Sequence, residues 1–344
     1  MSRSSSAVVV RSDDCLLHVP GAEIWVGVST PGTELPERAT RIGDALRRDG
    51  HRFVDAAGHS DDVLLRVHDP RLVEHLRTVW SRWVDAGFPV EPGQDRVVPY
   101  LMPTAVHAAA GRYCYDTMTL VGPGTWLAAR AAVDVTLSAV DLVTGGEPVA
   151  DALVRPPGHH VTRAAYGGSC YLNNAGIAAQ ALDDAGHERV AIVDIDAHHG
   201  NGTQALFYDR ADVLYASLHV DPGAGWFPHY AGFADETGRG AGLGANLNVP
   251  LAEGTPDEPW LAAVDRIAEA VDAHGATALV VSLGVDAAAA DPESPLQVTH
   301  DGYEAAGRRL AALGLPTVAV QEGGYHLDTL GDLVSRTLAG LADR

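Results

Sequence analysis

The sequence contains no lysine: all 24 basic residues are arginine, set against 45 acidic ones for a formal net charge of −21. That balance argues against non-specific nucleic-acid binding, keeps a chain soluble, and can steer a cationic small molecule toward the surface. Cysteine is nearly absent too. Cys15, Cys114 and Cys170 are an odd number with no C-x-x-C pair, which excludes a disulfide framework and a thiolate zinc site and fits a reducing cytoplasm. Long apolar runs are missing, and the opening MSRSSSAVVVRSDD has no apolar core followed by a small-residue cleavage site. The expectation is therefore a cytoplasmic protein with no membrane contact. No composition break divides the 344 residues, and 46% hydrophobic content supports one large core, so a single domain over 1–344 is expected.

What is present is alternation. After a short strand within 1–20, ELPERATRIGDALRRDG and DPRLVEHLRTVWSRWVDAG space apolar residues three and four apart, as amphipathic helices do. Residues 91–123 are rich in Pro and Gly and weakly periodic, which predicts a long loop of the kind that often lines a binding site. From there helices (125–143, 173–185, 258–273, 300–312 and one at the C-terminus) alternate with apolar strands ADALVRP, RVAIVDID, ADVLYASLH, ALVVSLG and PTVAVQEGG. Continuous apolar strands between helices predict an α/β fold of three layers, with a mostly parallel sheet covered on both faces. Ligands in such sheets sit beyond the carboxyl ends of the strands.

Polar residues gather at those ends. RVAIVDID runs into AHHGNGTQ, and strand alternation puts Asp194, Asp196 and His198 on one side, where a carboxylate and an imidazole can share a cation. ALVVSLG leads to Asp286 at the same rim; one His and two carboxylates leave a coordination position open for water. His159 and His160 follow a Pro-Pro-Gly turn, either as loop content or as a general base and acid. In VQEGGYHLD, Gly323 and Gly324 allow a tight turn that can present the Tyr325 phenol to an oxyanion or simply pack it.

Taken together, RPPGHH, DIDAHHGNGTQ, SLGVDAAAADP and EGGY resemble the arginase-deacetylase superfamily, specifically its zinc deacetylases, the histone deacetylases and bacterial acetylpolyamine amidohydrolases. VHDPRLVEHLRTVWSRW, GPGTW and FPHYAGFADETGRGAG look closest to the acetylpolyamine amidohydrolase branch. The resemblance implies that Asp196, His198 and Asp286 bind Zn2+ (Fe2+ or Co2+ suit the same ligands), and that His159 and His160 flank the attacking water. It implies further that Asp194 orients His159, that Asn201 stands beside His160, and that Tyr325 stabilises the oxyanion. A structural K+ is implied at Asp194, Asp196, His198, Ser217 and Leu218. Two-manganese ureohydrolases carry further Asp residues where this chain has Gly200 and Ala288, so a single metal is expected.

The substrate walls depart from the family. Ser169, after Gly168, stands where Phe or Tyr usually forms one side of a narrow tunnel, while Trp226 or Phe227 supplies the other. His107 and Met118 occupy the approximate positions of acidic residues that read a distal ammonium, with Asp116 nearby as a substitute. The expected function is hydrolysis of a small N-acyl amine, acetylpolyamine-like or a biosynthetic intermediate, by a homodimer built partly through loop 91–123. The alternatives are a protein acetyl-lysine deacetylase and a non-catalytic, metal-stabilised binding protein.

Overall fold

A computed structural model describes residues 6–25, 28–87 and 111–343. The strands are β1 (Val8–Arg11), β2 (Glu23–Trp25), β3 (Val28–Thr30), β4 (Arg52–Asp55), β5 (Val149–Ala152), β6 (Val190–Asp194), β7 (Val213–Val220), β8 (Asn246–Leu251), β9 (Ala278–Leu283) and β10 (Thr317–Gln321). The helices are α1 (Glu37–Arg48), α2 (Asp62–Val67), α3 (Pro70–Asp85), α4 (Thr125–Thr144), α5 (Asn174–Asp184), α6 (Asn201–Phe207), α7 (Asp257–His274), α8 (His300–Ala311) and α9 (Leu330–Ala342). Eight strands form one sheet in the order β4-β1-β5-β10-β9-β6-β7-β8, every neighbouring pair parallel, and β2 and β3 make a separate antiparallel hairpin.

Parallel strands need crossovers, and helices supply them while covering both faces. On one face Ile42 and Leu46 of α1, Trp260 and Ile267 of α7, Leu310 of α8 and Leu338 of α9 pack against Val9, Val193, Val281 and Ala319. On the other, Val135 and Ala139 of α4, Ala178 and Leu182 of α5 and Phe207 of α6 meet Val10, Ile192, Val280 and Val318. Helices α2 and α3 seal the outer side of α4 through Leu64, Leu72, Leu76 and Trp83. Each buried aliphatic side chain contributes roughly 1.5–3 kcal/mol by leaving water. No helix among the described residues is long and apolar enough to cross a membrane.

The predicted α/β architecture is what forms, with differences at the margins. β4, β8, α2 and the β2–β3 hairpin escape the apolar-run signal. In β8 the reason is chemical: Asn246 and Asn248 turn inward and donate to Gln204 and to the loop at Phe233–Glu236, so buried positions read as polar. β5 and β6 are shorter than the apolar runs suggest. β5 stops at Ala152, where the Val154 N–H folds back onto the Ala152 carbonyl. β6 stops at Asp194, whose Oδ1 accepts the Asp196 N–H at 3.2 Å.

Candidate active site

The carboxyl ends of β6, β9 and β10 converge on Asp196, His198 and Asp286, whose ligand atoms all lie within 4.8 Å of one another. The turn closed by Asp194 means that strand alternation does not carry through to residue 198. Asp194 Oδ2 meets His159 Nδ1 and accepts the Tyr215 hydroxyl, while His198 lies between Asp196 and Asp286. His198 Nδ1 is 3.3 Å from Asp196 Oδ1 and 3.2 Å from Asp286 Oδ2. Backbone N–H groups of Gly323 and Ala197 hold the carboxylates at 2.9 and 2.8 Å. Burial and the neighbouring charge of Asp196 push the Asp286 carboxyl up to about 7.

These residues fit a metal ion. Two carboxylates, each 1% exposed, share an imidazole nitrogen in a place where unpaired negative charge is costly. The site is also cradled by glycine. A Cβ on Gly284 would sit 2.0 Å from Asp196 Oδ2, and one on Gly323 2.0 Å from Asp286 Oδ2, so any side chain there would fill the space. The same logic excludes a second metal ligand at Gly200, where a Cβ would come within 2.4 Å of Asp194 Oδ2 and 2.5 Å of the Tyr215 hydroxyl. A second group of candidate ligands, His159, Cys170 and Glu322, is already engaged otherwise: Glu322 Oε2 accepts the N–H groups of Gly158 and His159 at 2.7 and 3.1 Å, and burial holds the Cys170 thiol protonated.

The histidine rings lie 4.0 Å apart between centroids but have different partners. His159 Nδ1 is 3.1 Å from Asp194 Oδ2, which also accepts the Tyr215 hydroxyl. Burial opposes a charged ring there, yet Asp196, Asp194 and Glu322 outweigh it and raise the pKa to about 10. His160 Nδ1 is 2.8 Å from Asn201 Oδ1, and burial and the charge of His159 hold this ring well below its ordinary pKa. The surrounding charges thus push the two imidazoles in opposite directions.

Tyr325 is presented by a turn braced from two sides. Arg38, in the first turn of α1, donates from Nε to Gly324 O and from Nη2 to Glu322 O, both at 2.5 Å, and its guanidinium lies 4.7 Å over the Tyr325 ring. Glu34, buried between Arg38 and Arg155 at 2.8 Å from each, fixes that guanidinium. Asp291 Oδ2 accepts the N–H groups of Tyr325 and His326. Burial keeps the phenol protonated, a donor facing the cavity. Glu322, Arg38, Glu34 and Asp291 were not singled out from the sequence. Glu322 was findable, as a carboxylate at the end of an apolar strand and directly before the Gly-Gly turn.

The site opens into a cavity of about 430 Å³ whose lining includes His160, His198, Tyr325, Gly168, Ser169, Met118, Trp226 and Phe227. Both aromatics of the opposite wall face it, Phe227 edge-on to His160 with centroids 4.8 Å apart. Gly168 permits this closeness: its φ is +60° and a Cβ would lie 2.3 Å from His160 Cδ2. Asp116 is engaged within its own loop. Its oxygens accept the N–H groups of Met118, Thr119 and Gly168 and the Thr119 hydroxyl, so it ties the loop together, and it is absent from the lining. His107, like most of the predicted dimer loop, lies outside the described residues. Among the described residues the acidic groups that face the cavity are Glu23, on the hairpin, and Glu293, in the loop after β9, neither of them flagged by any motif. Ser217 pairs with Asp194 across the β6–β7 ladder, and its hydroxyl meets His219 Nδ1 at 2.8 Å.

Comparison with known proteins agrees with this geometry. Residues 33–341 match the family model described as the histone deacetylase domain. The chain is 41% identical to the acetylpolyamine amidohydrolase of Mycoplana ramosa, covering 97% of this chain and 99% of that one. It is 40% identical to acetylpolyamine amidohydrolase 1 of Pseudomonas aeruginosa, over 96% and 97%. The crystal structure of acetylpolyamine aminohydrolase from Burkholderia pseudomallei superposes with a TM-score of 0.93 at 38% identity, covering 98% of this chain and 99% of that one. With its three-layer fold, its metal-ready triad and its paired histidines, the chain belongs to the histone deacetylase family and is an enzyme that hydrolyses amide bonds.

Proposed function

We propose that this enzyme removes a short acyl group from an amine carrying a second positive charge, with one zinc ion held by Asp196, His198 and Asp286. The observation that carries the reading is the pairing of Glu23 and Glu293 in the wall of the cavity that contains His160 and Tyr325. Thr33 donates to Glu23 Oε1 from its N–H at 2.8 Å and from its hydroxyl at 3.0 Å, which orients that carboxylate. Burial, together with the charges of Glu23 and Asp291, raises the Glu293 pKa against the pull of His198, so a cation there relieves crowded negative charge. The names of the relatives, acetylpolyamine amidohydrolases, support the same class of substrate.

When bound, zinc supplies Lewis-acid polarisation of the acyl carbonyl and acidifies a water. The protein's own groups do the rest. His160, neutral and with Nδ1 turned to Asn201, presents Nε2 as a base to the attacking water and returns that proton to the departing amine. His159, anchored by Asp194, stands beside it as a hydrogen-bond donor to developing negative charge. The Tyr325 hydroxyl donates to the developing oxyanion. The adjacency of Asp194 and Ser217 in the ladder supports a structural potassium ion held with Asp196, His198 and Leu218.

The test is a zinc-loaded preparation, with metal content measured, assayed on a mono-acetylated diamine, an N-alkylacetamide of equal length and an acetyl-lysine peptide. A charge-assisted contact worth about 1.5–3 kcal/mol gives the diamine an advantage of roughly 10- to 100-fold in kcat/KM over the neutral amide. Equal turnover of the neutral amide, or faster turnover of the peptide, would overturn the proposal.

A further inference from the structure

His159 and His160 differ in what stands behind them, and the difference leaves a problem that the structure solves. A carboxylate can only accept, so Asp194 on its own obliges His159 to present Nδ1–H. An amide is ambivalent. With Oδ1 forward, Asn201 demands Nδ1–H on His160 and leaves Nε2 bare; with Nδ2 forward, it demands a bare Nδ1 and puts the proton on Nε2, where it blocks a base.

Asn201, 4% exposed at the start of α6, has its Oδ1 2.8 Å from His160 Nδ1. Its Nδ2 lies 2.6 Å from the Tyr230 hydroxyl and 3.5 Å from the Tyr115 hydroxyl. A phenol can donate or accept, so Tyr230 alone would tolerate either orientation of the amide. Tyr115 breaks the tie. It donates its single proton to the carbonyl oxygen of His160 at 2.9 Å, so toward Asn201 it can only accept. The amide NH2 must then face the tyrosines, Oδ1 must face His160, and the neutral ring carries its proton on Nδ1.

Tyr115 is built into this place. A Cβ on Gly167 would lie 2.4 Å from the Tyr115 ring, so only glycine lets that ring lie there. The ring is parallel to Phe227, 8° apart in plane with centroids at 6.4 Å, and Phe227 in turn packs edge-on against His160. The group that chooses the amide orientation is thus packed against the same aromatic that walls the cavity.

We propose that Tyr115 is a positioning residue that acts through Asn201 to hold His160 in the Nδ1–H tautomer. The inference rests on the reading of His160 as the base, and its test separates the two. Long-range 1H–15N correlation spectra of 15N-histidine-labelled, metal-free protein report the tautomer directly, without any need for turnover. Wild type should show His160 with Nδ1–H alone. Tyr115→Phe should add a substantial Nε2–H population, while Tyr230→Phe, on the exposed side of Asn201, should keep the wild-type pattern. In the zinc-loaded enzyme Tyr115→Phe should lower kcat about two- to tenfold at unchanged KM, in step with the competent fraction. Asn201→Asp added to Tyr115→Phe should restore the Nδ1–H signal, because a carboxylate again leaves no choice. A His160 that stays wholly Nδ1–H in Tyr115→Phe overturns the inference, as does failure of the Asp rescue. A tautomer that shifts while kcat does not upholds the relay and removes His160 as the base.

Discussion

The floor of the cavity and its rim are built on different principles. Floor residues Asp196, His198, Asp286, His159 and His160 follow directly from buried strands or a rigid turn, and backbone N–H groups, glycine cradles and buried carboxylates hold them. Rim residues Glu23, Met118, Ser169, Trp226 and Glu293 come from a hairpin and four loops. Chemistry needs positions fixed to a fraction of an ångström, which strand ends provide, whereas substrate choice varies with loops. Changes on the floor should therefore cost every substrate alike, and changes on the rim should discriminate among them.

The largest expected effect is on the floor. Asp286→Ala should lose bound metal and all turnover together, for charged and neutral substrates alike, as read by metal analysis beside the assay. Metal retained at one equivalent would break the assignment of the triad.

Next comes a residue outside both regions. Asp151 is 0% exposed on β5, between Val9 of β1 and Ala319 of β10, and neither carboxylate oxygen has a hydrogen-bond partner among the described residues. Burial raises its pKa from 3.8 to about 7. Below pH ~4 both folded and unfolded chains hold the proton and no penalty exists. Between pH 4 and 7 only the unfolded state releases it, so stability falls as pH rises; above 7 the full penalty, as much as about 4 kcal/mol, remains. Asp151→Asn should therefore leave stability at pH 4 little changed and raise it at pH 8, in urea unfolding at the two pH values. A variant that is no more stable at pH 8 than the parent would contradict this.

Tyr325→Phe should lower kcat about 10²-fold with KM nearly unchanged, equally for diamine and neutral substrates, since one oxyanion donor contributes roughly 3 kcal/mol. A substrate-dependent loss would move Tyr325 from floor to rim.

On the rim, Glu293→Gln should raise KM for a mono-acetylated diamine about tenfold and leave the neutral N-alkylacetamide unaffected. The smallest effect belongs to Ser169→Tyr, which narrows the cavity: linear amides should retain kcat/KM within about threefold, and an amide with a bulky group next to the nitrogen should lose more. Equal response of both substrates in either variant would erase the distinction between rim and floor.

Legibility followed the same divide. The parallel sheet was readable from apolar strands between helices because burial on both faces leaves a local signature, whereas β8, with inward Asn246 and Asn248, left none. The catalytic residues were readable because each follows a strand in a recognisable local context. Asp116 was less legible, since an acidic loop residue near a site reads equally as a ligand group or as a turn organiser, and its bonds to Met118, Thr119 and Gly168 become visible only in the structure.

By itself the sequence determined the fold class and placed candidate donors at one edge of a parallel sheet, because apolar strands between helices leave a local signature; the single-metal reading of those donors came from the family resemblance. Tertiary structure alone decided that Asp291 and Arg38 brace the Tyr325 turn, that Glu23 and Glu293 meet in one cavity, and that Tyr115 leaves Asn201 a single orientation. Each of these depends on the direction in which a side chain meets a group distant in sequence, and that direction is a property of packing, absent from any local pattern of residues.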